Sequence, residues 1–184
     1  MQRLIALEPA TATGKTKELF NALEAKLGMV PNMMRTMGNS PAALNGYLSF
    51  NAALTESNIG AKLGELIALT VANANGCDYC NAAHSFIGEK LVHIDLNTLA
   101  DAREGKAADA KTQAALDFAL LVISTKGRVS DGDIATVKAA GFGDAEVAEI
   151  IAHVGLNILT NYFNIAAQVV VDFPAVPLAN IAAV

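Results

Sequence analysis

The chain has 184 residues, of which 53% are hydrophobic and only 17% are charged, and its net charge is −5 at neutral pH. This length is enough for one domain with a substantial core. Its 13 lysines and arginines are scattered along the chain, which argues against nucleic-acid binding. The thin supply of polar surface is typical of a helical protein with a buried subunit interface, so we expect a homo-oligomer.

Two features bear on the location of the protein. The segment Met1–Glu8 holds too short an apolar run for a signal peptide. The longest uncharged stretch, His153–Val171, is interrupted by polar residues, which favours a buried helix over a membrane span. We therefore expect a cytoplasmic protein without a membrane partner. In that compartment a lone cysteine pair is more often catalytic or metal-binding than a structural disulfide.

Helical periodicity runs along the chain, with glycine stops between segments. Ser40, Asp95 and Asp109 are predicted helix caps, and Ser130 with Asp133 resembles a capping box. We expect a short turn at Asn32–Gly38. The predicted helices cover residues 15–27, 41–55, 59–75, 77–91, 96–104, 110–126, 130–141 and 144–170.

The predicted fold class is therefore an all-α helical bundle. No linker divides the chain, which predicts one domain over residues 1–184 with an irregular tail from about residue 172. Each half ends in a long apolar helix that follows shorter ones, which indicates a weak duplication of two halves.

The chain has only two cysteines, Cys77 and Cys80, and His84 follows four residues after the second. This spacing places the three side chains on one face of a helix. Asn75-Gly76 comes directly before Cys77, so Cys77 should lie at or next to the helix N-terminus, where backbone N–H groups favour a thiolate. Thiol redox chemistry needs an attacking thiolate, a resolving thiol and a base, and the cluster has all three types.

Other interpretations of this cluster stay open. The cysteines can be small apolar residues packed at a helix start, with His84 a core histidine. A zinc site would recruit the same three residues together with His93, but structural zinc sites normally take a second ligand pair from a separate element. A covalent haem site needs histidine directly after Cys80, where Asn81 stands. A thioredoxin fold needs strands that the sequence does not predict.

Glu65 lies on the preceding helix, twelve residues before Cys77. If the two helices run antiparallel about Asn75-Gly76, its carboxylate can hold His84 or pass a proton through water. Otherwise Glu65 is a solvated surface residue, which is the interpretation that spacing alone favours.

A polar stripe with three- or four-residue spacing runs along the last predicted helix. Buried polar groups need partners, so the stripe either lines a pocket beside the thiols or forms a seam between helices or subunits. We expect the neighbouring Tyr162 and Phe163 to belong to the core. The stripe consists of His153, Asn157, Asn161, Asn164 and Gln168.

The combined spacing is Glu65, eleven residues, Cys77-x-x-Cys80, three residues and His84. This spacing resembles the active-site signature of alkylhydroperoxidase D-like proteins, in the carboxymuconolactone decarboxylase superfamily. The resemblance covers most of the chain. The segments that resemble the peroxidase-related branch of this family are Leu27–Asn32, the Ser40-Pro41 helix and Asn161–Asn164.

The resemblance implies that Cys80 is the peroxidatic thiolate and that Cys77 resolves its sulfenic acid to a disulfide. It implies that His84 and Glu65 form the proton relay, and that no haem, flavin or metal takes part. The substrate would be a hydroperoxide, and an external dithiol would reopen the disulfide. In the best-known relatives this reductant is a dihydrolipoyl-protein.

One position departs from the best-known relatives, which have histidine where this chain has Tyr79. A phenol, with a pKa of about 10, is a poor base at neutral pH. Tyr79, Asn161 and Asn164 are the candidate pocket-lining residues.

The predicted function is a thiol-dependent hydroperoxide reductase. A lactone decarboxylase of the same superfamily, which has no need of a cysteine pair, is one alternative. A non-catalytic redox-sensing helical module is the other.

Overall fold

The computed structural model describes residues 2–179, and within that range every regular element is an α-helix. The prediction of an all-α fold is confirmed. Residues 180–184, the end of the predicted tail, lie outside the described residues. The helices are α1 Gly14–Leu27, α2 Asn32–Met37, α3 Pro41–Leu54, α4 Gly60–Ala74, α5 Asp78–Lys90, α6 Leu96–Arg103, α7 Ala110–Ser124, α8 Asp131–Ala139 and α9 Asp144–Ala167.

The predicted caps form as expected from the local sequence. The side chain of Ser40 accepts a hydrogen bond from the backbone of the first turn of α3, and Asp95 and Asp109 do the same for α6 and α7. Ser130 and Asp133 form the predicted capping box of α8. These side chains satisfy N–H groups that have no partner inside the helix, which is why the helix starts are readable from sequence.

Two predicted boundaries are wrong. The expected turn after Pro31 is helix α2, because the carboxylate of Asp172 accepts from the backbone N–H of Asn32 at 2.7 Å and caps its start. Helix α9 ends at Ala167, a turn earlier than predicted, because Gln168 adopts a left-handed conformation with φ of 49°. Neither cause leaves a local signal in the sequence.

Helix α4 lies at the centre of the fold and packs against α5, α6, α7 and α9. All of its residues from Leu66 to Asn73 are buried. The core consists of two clusters. The first joins α4 to α6–α9, and the second joins α1–α3 to the N-terminal turn of α5, the end of α9 and Val169. Cys77 and Cys80 belong to the second cluster.

A tight corner connects α4 to α5. Gly76 has a φ of 66°, a left-handed conformation that favours glycine. The N–H of Gly76 donates to the carbonyl of Asn73 at 3.1 Å, and the N–H of Cys77 donates to that of Ala72 at 2.8 Å. This pair of bonds is a Schellman motif, which satisfies the last carbonyls of α4 and turns the chain back along it.

Helix α9 is, within residues 2–179, the one helix long and apolar enough to cross a membrane. Its buried side chains pack against α3, α4, α5, α7 and α8, as predicted for a core helix. Tyr162 is 56% exposed, so the prediction that it belongs to the core is wrong, whereas Phe163 packs against the second cluster. Other exposed apolar residues on α9 are Ile151, Leu159 and Ile165.

Buried amides hold the C-terminal segment against the α4–α5 corner. The Nδ2 atom of Asn73 donates to Oδ1 of Asn81 at 3.0 Å. Asn81, which is fully buried, donates in turn to the carbonyls of Val176 and Pro177 at 2.9 and 3.2 Å. The N–H of Ala179 donates to Oδ1 of Asn73 at 2.8 Å. The segment after α9 is therefore fastened to the helix that carries the cysteines.

Replacement of Asn81 by leucine should destabilise the fold by about 1–3 kcal/mol, because it removes the acceptor of one N–H of the buried Asn73 amide and the donor to the carbonyls of Val176 and Pro177. Urea unfolding followed by circular dichroism measures the change. Asn97→Leu, at an exposed position on α6, is the matched control and should shift the free energy of unfolding little. Equal stability of the two variants would contradict a structural role for Asn81.

Candidate active site

The cysteine pair occupies the first turn of α5, as predicted. Cys77 is the N-cap, and its Sγ accepts a hydrogen bond from the backbone N–H of Cys80 at 3.4 Å. Both thiols are free, and their residues are only 1% and 2% exposed. The helix N-terminus therefore places a backbone N–H against the buried sulfur of Cys77 and holds Cys80 in its first turn, where the helix dipole favours negative charge.

Cys80 is the thiol that the surroundings ionise. The pKa of Cys80 is lowered to about 6, chiefly by the hydrogen bond from the Cys77 thiol. The positive charge of His84 and the amides of Asn164 and Asn161 lower this pKa further, whereas burial acts to raise it. The Nδ2 atom of Asn164 donates to Cys80 Sγ at 3.2 Å. The Nδ2 atom of Asn161 is buried without a hydrogen-bond partner of normal geometry. At neutral pH Cys80 is a thiolate held by donors on two helices.

Cys77 has the opposite character. The hydrogen bond that its thiol donates to Cys80 raises the pKa of Cys77, and burial raises it further. Cys77 therefore keeps its proton while Cys80 gives up its own. One thiol of the pair is ionised and the other is protonated, as a nucleophile and a resolving thiol require.

His84 lies one turn after Cys80, and the corner between α4 and α5 brings Glu65 to it. The Nδ1 atom of His84 and Oε2 of Glu65 are 2.8 Å apart, and the two side chains are 23% and 18% exposed. Burial acts to lower the pKa of His84, but the charge and hydrogen bond of Glu65, together with the Cys80 thiolate, raise it above the ordinary value. The two negative groups thus favour the protonated imidazole, and Nε2 is left free to exchange a proton.

Three spaces surround this cluster, and each reaches a different part of it. The Cys80 pocket, of about 370 Å³, exposes Cys80 and His84 to apolar walls. The Glu65 cavity, of about 130 Å³, lies against Glu65 and His84. The Cys77 groove, of about 470 Å³, runs along Cys77, Tyr79 and Asn164. The walls of the Cys80 pocket include Met29, Met33, Met34, Phe86, Ile87, Leu91 and Phe173.

Tyr79 lines both the Cys80 pocket and the Cys77 groove. Its hydroxyl oxygen accepts from the backbone N–H of Met33 at 3.1 Å, and its ring packs edge-on against Phe173 with the centroids 5.8 Å apart. Burial raises the pKa of Tyr79, and nearby Asp172 raises it further. Tyr79 is therefore a neutral wall residue that joins α2 and the C-terminal segment to α5.

The polar stripe of α9 divides between two surroundings. Asn164 and Asn161 lie at the thiols, and Asn161 also accepts from Asn75 at 3.0 Å. His153 lines the Glu65 cavity instead. The stripe thus serves both the site and the packing of α9, the two alternatives that the sequence left open.

The structure brings Glu65, Cys77, Cys80 and His84 together, and leaves His93 exposed in the turn after α5. Among residues 2–179, no group of three or more histidine, cysteine and acidic side chains is arranged to hold a metal ion.

Thr160 is a site residue that the sequence did not predict. Its Oγ1 lies 4.0 Å from Cys80 Sγ, and the residue lines both the Cys80 pocket and the Glu65 cavity. Its spacing within the α9 stripe was the available signal. Met33 and Phe173 carried no signal, because their places depend on distant segments.

Residues 41–88 match the carboxymuconolactone decarboxylase family. This segment runs from the start of α3 almost to the end of α5 and contains Glu65, both cysteines and His84. No curated protein matches the chain significantly by sequence.

Several solved structures share the fold. A peroxidase-related protein from Silicibacter sp. TM1040 is 24% identical with a TM-score of 0.81, over 92% of this chain and 91% of that one. A peroxidase-related protein from Ralstonia eutropha JMP134, described as an alkylhydroperoxidase AhpD core, is 23% identical with a TM-score of 0.83, over 93% and 92%. The debrominase Bmp8 is 22% identical with a TM-score of 0.76, over 91% and 90%.

The nine helices described within residues 2–179 and the matched segment define an alkylhydroperoxidase D-like helical fold. The likeness to the carboxymuconolactone decarboxylase family covers residues 41–88, and the likeness to the solved structures is one of fold.

Replacement of Cys77 by alanine removes the thiol that donates to Cys80, so the pKa of Cys80 should rise from about 6 toward the ordinary range of a thiol. The pH dependence of alkylation by iodoacetamide, followed by mass spectrometry, measures this pKa. Cys77→Ser keeps a hydroxyl donor, so the pKa of Cys80 should stay close to that of the parent. An unchanged midpoint in Cys77→Ala would show that the hydrogen bond is not its cause.

Proposed function

We propose that the protein is a thiol-dependent hydroperoxide reductase. The observation that carries this proposal is the juxtaposition of an ionised Cys80 and a protonated Cys77, with a Glu65–His84 pair behind the thiolate. A peroxidatic thiol needs an anionic sulfur, an acid for the leaving oxygen and a second thiol to resolve the product. All three groups are present around one helix N-terminus.

In the first step, the Cys80 thiolate attacks the terminal oxygen of the hydroperoxide. An S–O bond forms, the O–O bond breaks, and the departing alkoxide takes a proton from His84 to become an alcohol. Cys80 is oxidised to a sulfenic acid. Glu65 holds the imidazole of His84 in place through the 2.8 Å contact at Nδ1.

In the second step, Cys77 attacks the sulfur of the sulfenic acid. The S–S bond forms, the S–O bond breaks, and hydroxide leaves with the proton of Cys77 as water. An external dithiol then reduces the disulfide and is itself oxidised. We propose that the dithiol approaches along the Cys77 groove, because Cys77 lines that space while Cys80 lines the opposite one.

The walls of the Cys80 pocket favour organic hydroperoxides over hydrogen peroxide. Because Cys80 is only 2% exposed, a substrate reaches its sulfur by inserting the peroxide end past the methionine and phenylalanine side chains. An alkyl or aryl group gains from the burial of its apolar surface in this space, whereas hydrogen peroxide does not.

A cytoplasmic location, a dihydrolipoyl-protein as reductant and a homo-oligomer stay predictions. The exposed apolar side chains of α9, which include Leu159 and Tyr162, support the expectation of an oligomer.

A stopped-flow reaction with cumene hydroperoxide, followed by counting of free thiols, tests the assigned roles. Cys80→Ser should lose the fast oxidation altogether, and Cys77→Ser should react once and accumulate a sulfenic acid that dimedone traps. If Cys80→Ser reacts as fast as the parent, the assignment is wrong.

Turnover with dihydrolipoamide, thioredoxin and glutathione then identifies the reductant. Disulfide formation without turnover, together with a changed elution volume in gel filtration, would favour a redox sensor. Carbon dioxide release from a lactone acid that survives replacement of both cysteines would favour the decarboxylase.

A second candidate is the reductive removal of bromine from an aromatic ring. Phe86, Phe173 and Tyr79 surround the Cys80 pocket, which suits a flat halogenated ring, and Bmp8 has been solved with 2,3,4-tribromopyrrole. The Cys80 thiolate would take the bromine as the ring carbon gains a proton, and Cys77 would then displace bromide and close the disulfide. Bromide release from 2,3,4-tribromopyrrole with two thiols oxidised per bromide measures this activity, and its absence in the parent excludes this candidate.

A further inference from the structure

His84 separates two spaces that have different surroundings. On one side the Cys80 pocket brings His84 together with the reactive sulfur and apolar walls. On the other side the Glu65 cavity brings His84 together with Glu65 and His153. The volume of this cavity, about 130 Å³, is enough for several water molecules. Substrate and protons can therefore reach opposite sides of the same imidazole.

The ring of His153 occupies space in this cavity that a side chain at position 64 would fill. Its ring lies over Gly64 of α4, where a Cβ atom would come within 2.9 Å of the ring carbon Cε1. Its Nε2 atom lies 3.3 Å from Oγ of Ser57, a residue of the turn before α4. Any larger residue at position 64 would push the ring aside, so the glycine and the histidine form a matched pair.

The chemistry of His153 suits proton exchange. Burial lowers the pKa of His153, while nearby Glu65 and Glu149 act to raise it and His84 lowers it. The imidazole is therefore neutral at neutral pH and able to accept a proton. The other titratable groups around it are Tyr47, which lines the cavity on α3 and whose pKa is raised by burial, and Glu149, which hydrogen-bonds Asn58 and the N–H of Ile59.

The proposed cycle leaves His84 without its proton after every turnover. The alkoxide takes that proton, and Cys80 returns from the disulfide as a thiolate because its pKa is about 6. The dithiol brings two protons, of which Cys77 keeps one, and the other is released when the dithiol ionises to attack from the Cys77 groove, which His84 does not line. The cycle therefore consumes no net proton, but His84 has to take one back from solvent while the dithiol releases one to it. The Cys80 pocket is an unsuitable route, since its walls are apolar and the product alcohol leaves through it.

We propose that His153, assisted by Ser57, passes protons from solvent through the Glu65 cavity to the imidazole of His84, which also lines that cavity and which Glu65 holds at Nδ1. His153 is a positioning and proton-transfer residue that acts through His84 and does not touch the hydroperoxide. This inference rests on the proposed function, because a proton has to be returned only if the cycle runs. The inference gives helix α9, which lies outside residues 41–88, a part in returning the proton to His84.

The test separates the first oxidation of Cys80 from repeated turnover. In His153→Ala, the stopped-flow oxidation of pre-reduced protein should keep its parent rate, because His84 already holds its proton. Steady-state kcat with cumene hydroperoxide and dihydrolipoamide should fall about tenfold with KM unchanged, less than the 10²–10⁴ of a directly acting acid. Added imidazole should restore kcat in proportion to its concentration. His93→Ala, which removes the exposed histidine after α5, is the matched control and should be insensitive to imidazole.

His153→Gln guards against a folding defect, since glutamine can bond to Ser57 but cannot carry a proton. It should also lose turnover and keep the first oxidation. Full turnover in His153→Gln, or a loss in His153→Ala that imidazole does not relieve, would overturn the inference and leave the proposed function intact. Absence of turnover in the parent with every reductant would overturn both.

Discussion

The site depends on one residue that belongs to two helices. Cys77 completes the Schellman motif that ends α4, and its sulfur then caps the start of α5. Because Gly76 turns the chain back at this point, the side chain of Glu65 on α4 comes within 2.8 Å of His84 on α5. Cys77 is thus also the residue at which the chain turns to bring Glu65 to His84. A change of backbone geometry at Cys77 would move the thiol pair and the Glu65–His84 pair together.

The two thiols differ in ionisation because each affects the pKa of the other. The proton that Cys77 donates lowers the pKa of Cys80 and raises the pKa of Cys77, so each sulfur sets the state of the other. Burial alone would raise both values and leave two inert thiols. Asn164 and Asn161 of α9 add the donors that let a 2% exposed sulfur stay anionic. The ionisation of the pair therefore depends on partners on two helices, α5 and α9.

What could be predicted from sequence was local. The stop at Gly76, the cap at Cys77 and the three- and four-residue spacings predict a shared face, and the structure has them. The rest depends on residues brought together from distant segments. Asp172 starts α2, Asn164 lies at Cys80 from 84 residues along the chain, and Phe173 closes the pocket. Such contacts depend on how distant segments pack together, so the periodicity of one segment does not predict them.

Tyr79 limits the groups that can exchange protons beside the thiols. The best-known relatives in the family that this chain resembles have histidine at this position, a second group that could exchange protons there. In this protein the Tyr79 hydroxyl oxygen bonds to the N–H of Met33, and burial raises its pKa, so it stays neutral. That leaves His84 as the single titrating imidazole at the Cys80 pocket among the described residues. The cavity that His84 shares with Glu65 and His153 is then the route that we propose for solvent protons to reach it.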